Sequence, residues 1–528
     1  MSTNATNRWQ DSPGGRAYAE NDCGVVVVGS GPVGMLLSSE LRLAGVRTVV
    51  LEREAEPYPH ARAWGLQPRT QDLLDRRGLL EGIEEEEPGQ MPGATFAGRF
   101  LDYSSLDTEH PYYLHAPQSL VERVLEEGAL ALGAEIRRGH EVVGIAQGPD
   151  GVTAEVSGPG GAYRVRGRYL VGCDGGRSTV RKLAGVGFPG TAPTLGGLLA
   201  DVVLPDPEDW RLGGTKSETG MLMVLGRKTF FRVVVLEWGR PHPDRRAPVT
   251  MEEFRAAVVR VLGRDLAMTE PRWLSRFGDA ARRAESYRVG RVLLAGDAAH
   301  VHSPFGGQGL NLGLQDASNL GWKLAAEVGG WAPKGLLDTY HSERAPVADS
   351  VLENTRAQVA LMDPGERLAP VRALFGGLAD LPQVNDRLAE EISGVGVRYP
   401  MPNAGVGGEP HPLAGRFARD LGLKTDRGDS RLCALLRPGR GVLLVLAGRD
   451  DLRALGRGWL DRVDLVTTRS TGSAPAEALL IRPDGYVAWA AGEDPDRDRA
   501  GLCHALAAWF GSAAPVDPLK DTQGTDGA

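Results

Sequence analysis

The stretch Cys23 to Gly34, CGVVVVGSGPVG, constrains the fold more than any other part of the chain. Its continuous β-branched run does not alternate with polar residues, which suits a parallel strand covered on both faces. The run passes straight into Gly29-Ser-Gly31-Pro-Val-Gly34 and then into a segment, Met35 to Ala44, that reads as a helix with Gly45 placed to end it. Val46 to Leu51 follows as a second apolar strand and closes on Glu52, with Arg53 beside it. Gly29 serves the tight turn, Gly31 lets backbone approach a pyrophosphate, Gly34 lets the helix pack closely, and Glu52 meets ribose hydroxyls. A bare GxGxxG is weak evidence. A strand before it, a helix after it and an acid about twenty residues on make it a dinucleotide fingerprint.

Two further stretches repeat the theme of a strand ending on an acid and glycines. Leu293 to Asn311, LLAGDAAHVHSPFGGQGLN, begins as the end of a strand, Val292 to Ala295, that stops at Gly296-Asp297. A Pro/Gly-rich loop and a helix opening near Gly309 follow. An acid at the carboxyl end of a strand accepts hydrogen bonds from ligand hydroxyls. Unpaired N-H groups around Gly306, Gly307 and Gly309, helped by the helix dipole, hold an electron-rich ligand atom or a developing anion. Glycine there lets backbone touch a flat ring. In Tyr169 to Arg181, YLVGCDGGRSTVR, a strand ends on Asp174, and Ser178-Thr179 open a helix among Arg177, Arg181 and Lys182. Alone, this is a capped helix with basic surface residues. Beside the other two motifs it points to one large dinucleotide. Arg62 and Arg69, in a stretch broken by Pro59, Gly65 and Pro68, are placed to face either phosphate, a ring edge or solvent. Gln118, at the mouth of a helix reaching Leu132, either bonds a cofactor ring or caps the turn.

In order and spacing these three motifs resemble the fingerprints of the single-component, FAD-dependent aromatic hydroxylases. The resemblance covers about Cys23 to Arg344. It implies FAD as cofactor, with Gly29, Gly31, Gly34, Glu52 and Arg53 at the ADP half and Asp297 of Gly296-Asp297 on the ribitol. Gly307, Gly309, Leu310 and Asn311 would face the flavin ring, and Asp174 and Arg177 would serve both FAD and NAD(P)H. Arg62 and Gln118 fall where the family has further FAD contacts. The implied reaction is NAD(P)H-driven hydroxylation of a phenolic ring by O2 through a flavin C4a-hydroperoxide. That species needs a closed, largely apolar cavity, while backbone N-H groups of Gly306 and Gly307 lie near the ring. Neither NADPH nor NADH is preferred by the residues, and no side-chain acid or base is named: His300 and His302 read first as structural hydrogen-bonders beside the cofactor loop.

The length, 528 residues, exceeds one hydrophobic core. Residues 22-187 and 281-362 are assigned to a discontinuous Rossmann-like FAD unit, and 188-280, where strands succeed one another before a single helix, Met251 to Leu262, and a last strand, to an antiparallel substrate sheet. Residues 363-412 read as a helical link. Residues 413-528 resemble a thioredoxin-like domain, whose hairpin RPDGYVAWA is similar to the close of the larger aromatic hydroxylases acting on polyketides. A multi-ring phenol or quinone is therefore the expected substrate, in antibiotic-type biosynthesis, with Baeyer-Villiger insertion as the alternative chemistry. A halogenase is disfavoured by the lack of a WxWxIP stretch, and a non-catalytic flavin module by the intact motifs. Cys23, Cys173, Cys433 and Cys503 form no CxxC pair, so neither a metal site nor redox exchange is expected. The tail's expected role is packing or formation of a homo-oligomer. The net charge of -8 argues against nucleic acid or anionic membrane as partner, and no apolar run approaches the roughly 20 residues of a membrane span. Residues 1-21 are polar, lack a secretory h-region and read as a disordered tail, which leaves a cytoplasmic location as the default.

Overall fold

The computed structural model describes residues 22-60, 63-86, 89-206, 214-226, 230-240, 247-401, 409-425, 428-446 and 448-514. The expected tail 1-21 and Arg62 lie outside these. The β-branched run forms the strand Asp22–Val28, buried along its length, at the centre of an eight-stranded sheet. Thr48–Glu52 and then Glu135–Arg138 lie parallel on one side of it; Gly161–Gly172 and then Val292–Leu294 lie parallel on the other. The helices Pro32–Leu43 and Gly309–Gly329 cover the sheet, and Gln118–Ala131 packs beside the first of them. Glu141–Gly148 and Gly151–Gly158 extend it as an antiparallel meander. Parallel pairing has one consequence that matters for chemistry. Strands far apart in sequence all end on the same edge of the sheet, in register at Leu51, Val28, Gly172 and Leu294.

The region after the second motif folds as expected into a five-stranded antiparallel sheet, Gly214–Lys216, Gly220–Gly226, Phe231–Glu237, Gly196–Val203 and Thr269–Gly278 in spatial order. Alternation along the strands sorts its residues. Leu198, Ala200, Val202, Val233 and Val235 pack under the helix Met251–Leu262. Leu199, Val234 and Trp273 face the other way, with Met223 and Phe277 against them.

Residues 422-510 carry a four-stranded sheet in the order Val463–Thr467, Gly441–Val445, Ala478–Ile481, Val487–Ala490. The first pair is parallel, connected through the helix Asp450–Gly456, and the rest are antiparallel, closed by the helix Pro495–Phe510. This is the thioredoxin-like order. Trp322, Ala326 and Leu336, around the end of the long helix, share its core with Trp489, Trp509 and Phe510. One element differs from the reading of the sequence. The apolar stretch Leu73 to Gly82 predicts one helix packed on the first unit, and the chain instead forms Pro68–Asp75 and, separately, Glu81–Glu84. Pro68 at the first helical position starts the helix early, and Gly78, at φ +67°, breaks it. Among the described residues no helix is long and apolar enough to cross a membrane.

Candidate active site

The shared sheet edge gathers the three motifs. Gly29 N-H donates to the Leu51 carbonyl, Cys173 N-H to that of Val28 and Ala295 N-H to that of Gly172, so the turns leave the sheet side by side. Gly34 sits where the helix meets the first turn: a side-chain carbon there would lie 2.0 Å from the Gly29 carbonyl oxygen. At Gly31 the same carbon would meet nothing within 4 Å. The helix behind it has no acid in its first turn and no side-chain cap. Its partial positive charge thus faces an open gap, which is what a pyrophosphate requires. Glu52 closes the neighbouring strand and accepts from Ser30 N-H at 2.8 Å and Ser30 Oγ at 3.1 Å. Arg53 is exposed and ion-paired with Glu54 at 3.0 Å, away from the gap's centre.

Asp174 is engaged within its own motif. Its carboxylate accepts from Ser178 Oγ at 2.5 Å and from the N-H groups of Thr179 and Val180 at 2.6 and 3.0 Å, capping a short helix. Arg177 is exposed. Arg181 is the residue that joins motifs, donating to the Ala298 carbonyl at 2.8 Å and to the Gly176 carbonyl at 3.0 Å. Its presence inside YLVGCDGGRSTVR was visible in the sequence, but its direction was not.

The third motif forms two short turns before the long helix. Asp297 is exposed between buried Gly296 and Ala298, so its side chain leaves the fold at the sheet edge. Gly306 and Gly307 have φ of +74° and +61°, a conformation that a side chain would strain. The first intrahelical bond runs from Leu312 N-H to the Gln308 carbonyl, so the N-H groups of Gly309, Leu310 and Asn311 stand ahead of it at the positive end of the helix. Asn311 has a second use: its Oδ1 accepts from Gln67 N-H at 2.8 Å, and its Nδ2 donates to the carbonyls of Gly307 at 2.8 Å and Gly65 at 3.2 Å. Gln67 Nε2 returns a bond to the Gly306 carbonyl. The segment 63-67 is thereby sewn to the glycine loop, and Gln118 anchors its start through Ala63 N-H at 3.3 Å. Arg69 faces none of the expected partners. It is 3% exposed, pairs with Asp72 at 2.7 Å and lies 3.9 Å over the Phe417 ring.

The two histidines take structural positions. His300 is fully buried with Nε2 2.6 Å from Asp316 Oδ2. Burial holds the His302 imidazole neutral, its pKa pushed down to about 4, with Nδ1 on the Ser303 carbonyl at 2.7 Å. Phe305, in the same loop, packs into a cluster with Leu195, Met221, Leu236, Phe277, Trp238, Phe96 and Phe375. An apolar wall therefore begins at the glycine loop and continues onto the antiparallel sheet. Asp75, Asp420 and Cys433 bring potential metal-ligand atoms within 4.8 Å of one another. Arg431 already serves those carboxylates, at 2.5 Å from Asp420 and 3.9 Å from Asp75, and burial pushes the Cys433 thiol up to about 12.

The sequence matches the family described as FAD binding domain over residues 22-355, and the family described as aromatic-ring hydroxylase, C-terminal, over residues 411-513. The 12-dehydrotetracycline 5-monooxygenase/anhydrotetracycline 6-monooxygenase of Streptomyces rimosus subsp. rimosus is 49% identical over 510 residues, covering 93% of this chain and 99% of that protein. A rifampicin monooxygenase of Streptomyces venezuelae is 47% identical, covering 93% of this chain and 99% of the other. Among solved structures, the OxyS anhydrotetracycline hydroxylase from Streptomyces rimosus superposes with a TM-score of 0.87 at 47% identity, over 93% of this chain and all of that one.

Proposed function

The chain belongs to the FAD-dependent aromatic-ring hydroxylases, and from that premise we propose that it is an NAD(P)H-dependent monooxygenase that hydroxylates a polycyclic phenol of the aromatic-polyketide type. The observation that carries this reading is the convergence of the three motifs on one sheet edge, beside an apolar wall. Residues there suit FAD: the gap at Gly31 accepts a pyrophosphate, the exposed Asp297 carboxylate accepts ribitol hydroxyls, and the glycine loop admits a flat ring. When bound and reduced by NAD(P)H, the flavin supplies the activation of O2.

The chain's own groups then do three things. The N-H groups of Gly309, Leu310 and Asn311, at a helix start without acids in its first turn, would hold the flavin's electron-rich edge and favour negative charge there. Phe305, Met223, Phe277 and Trp238 form an apolar cover that keeps water from the reacting atoms and receives the substrate's rings. Gln67 and Asn311 hold the loop so that this geometry exists before the substrate arrives. No side chain is assigned as acid or base: His300 and His302 each hold a structural hydrogen bond through one ring nitrogen. The dinucleotide donor docks transiently near Arg177 and Lys182, both exposed at the second motif. Baeyer-Villiger insertion is not favoured, because relatives similar over nearly the whole chain are named anhydrotetracycline 6-monooxygenase and anhydrotetracycline hydroxylase. A reducing cytoplasm suits an enzyme with four unpaired cysteines.

The test is purified protein with NADPH or NADH, air and a panel of polycyclic phenols that includes tetracycline-type and rifamycin-type compounds. Gain of one oxygen on a ring carbon, by mass and NMR, is expected. A ring-expanded lactone overturns the hydroxylase assignment.

A further inference from the structure

The helix Gly309–Gly329 starts at the glycine loop and ends inside the core of the C-terminal unit, and nearly all of it is buried. Its polar residues form two linked clusters where burial makes charges costly. Asp316 Oδ2 accepts Gly296 N-H at 3.2 Å and lies on His300 Nε2; Asp316 Oδ1 accepts from Arg344 Nε at 2.7 Å. Arg344 also donates to the Leu312 carbonyl at 3.1 Å and to the Tyr399 hydroxyl at 2.9 Å. The Tyr399 ring lies on Tyr486 of the closing hairpin, centroids 4.2 Å apart, and its backbone N-H bonds the Gly415 carbonyl. One residue along from Arg344, Glu343 accepts from Arg482 at 2.7 and 2.9 Å and from Lys323 at 2.7 Å. Three cations, Lys323, Arg344 and Arg482, are thus balanced by Asp316, Glu343 and Asp484, all at most 2% exposed.

Such a balanced, dry cluster tolerates only one arrangement, because displacing any member leaves a buried charge alone. One end of that arrangement is Gly296, the residue before Asp297. The other is the C-terminal unit, which has no CxxC with which to do redox work. We propose that the C-terminal unit is a clamp on the cofactor site, with Tyr399, Arg344 and Asp316 as positioning residues that fix the Gly296-Asp297 turn for the ribitol of FAD. This rests on the assignment of Asp297 to the ribitol made above. By linkage the effect is reciprocal: bound FAD tightens the seat of the C-terminal hairpin.

The test uses the full chain, stripped of flavin and titrated with FAD well below each variant's melting temperature. Tyr399→Phe removes one hydroxyl from a buried guanidinium and keeps the ring, so it should fold; its FAD Kd is expected to rise about tenfold. Asp316→Asn is expected to exceed that. Asp297→Ala combined with Tyr399→Phe should weaken binding by clearly less than the product of the single effects. Hydrogen exchange in 479-490 should slow when FAD binds the natural chain and change far less in Tyr399→Phe. Arg449→Met, on an ion-pair group elsewhere in the C-terminal unit, is the control for general destabilisation and should leave the FAD Kd within twofold. A weakened Asp297→Ala beside wild-type Kd values for Tyr399→Phe and Asp316→Asn overturns the clamp alone. An unchanged Kd in Asp297→Ala overturns the ribitol assignment and the clamp with it.

Discussion

The chain builds a strand-helix-strand unit twice, once at Asp22–Glu52 and once at Gly441–Thr467, and the two helix starts have opposite fates. In the first, the helix Pro32–Leu43 begins behind Gly31 with no acid in its first turn and open space in front. In the second, the helix Asp450–Gly456 carries Asp450 and Asp451 in its first turn. Arg449 there bonds Asp451 at 2.9 Å and both Glu477 and Asp498 at 3.0 Å. Both helices present a partial positive charge at this end. One leaves it facing open space, and the other neutralises it with its own carboxylates and then balances those with an arginine. The same local topology gives an open or a closed helix start depending on a few side chains at one turn.

The contrast can be broken directly. Gly31→Asp gives the first helix the acid that the second has, in the gap proposed above for the pyrophosphate. FAD affinity should fall on the order of 100-fold or more through like-charge repulsion, while circular dichroism stays native; retained affinity would place the pyrophosphate elsewhere. A second difference is the half-buried, neutral His302 beside the glycine loop, pushed down to about 4 by loss of solvent, partly opposed by its bond to the Ser303 carbonyl. The unfolded chain binds this proton near pH 6.5 and the folded chain near 4, so stability is lost as pH falls from about 6.5 to about 4. The span corresponds to about 3 kcal/mol. Urea midpoints across that window should flatten in His302→Phe, and an unflattened profile would assign the acid sensitivity to another group.

Arg449→Met is expected to cost about 1 to 2 kcal/mol of stability, measured by urea unfolding, because Asp451 and Glu477 remain solvated while the buried Asp498 loses its cation but keeps its bond from Gly492 N-H. Loss of flavin in that variant would erase the distinction between the two helix starts. The smallest effect is expected for Cys433→Ser. A thiol held up to about 12 by burial, with the Asp420 and Asp75 carboxylates adding to it, is not a nucleophile at neutral pH. NADPH-driven turnover should be unchanged, and a large loss in a folded variant would return redox chemistry to the C-terminal unit.

Much of the fold was legible because it is written locally. The run at Cys23–Val28, the helix over 251-262 and the hairpin around Pro483-Asp484-Gly485 each carry their period or turn chemistry within a dozen residues. The helix at Pro68 was misread because its apolar pattern continues past the break at Gly78. At the site, the close packing at Gly34 was readable from spacing. Gln67, Arg181, Asp316 and Tyr399 were not, since each acts on a partner distant in sequence: Gln67 on residues 306 and 311, Arg181 on 298, Asp316 on 296 and 344, and Tyr399 on 344.

The sequence by itself determined that the chain would make a parallel dinucleotide-type unit, an antiparallel sheet and a C-terminal unit without a CxxC pair, because glycine placement, hydrophobic period and cysteine spacing are properties of short segments. Tertiary structure alone decided that Lys323, Glu343 and Arg482, which read as ordinary helix and hairpin charges, would be sealed together at 0 to 2% exposure. It also decided that this seal would reach the turn before Asp297. A buried charge survives only where its partner is brought to it, and the partner's position is a property of how the units pack rather than of either segment.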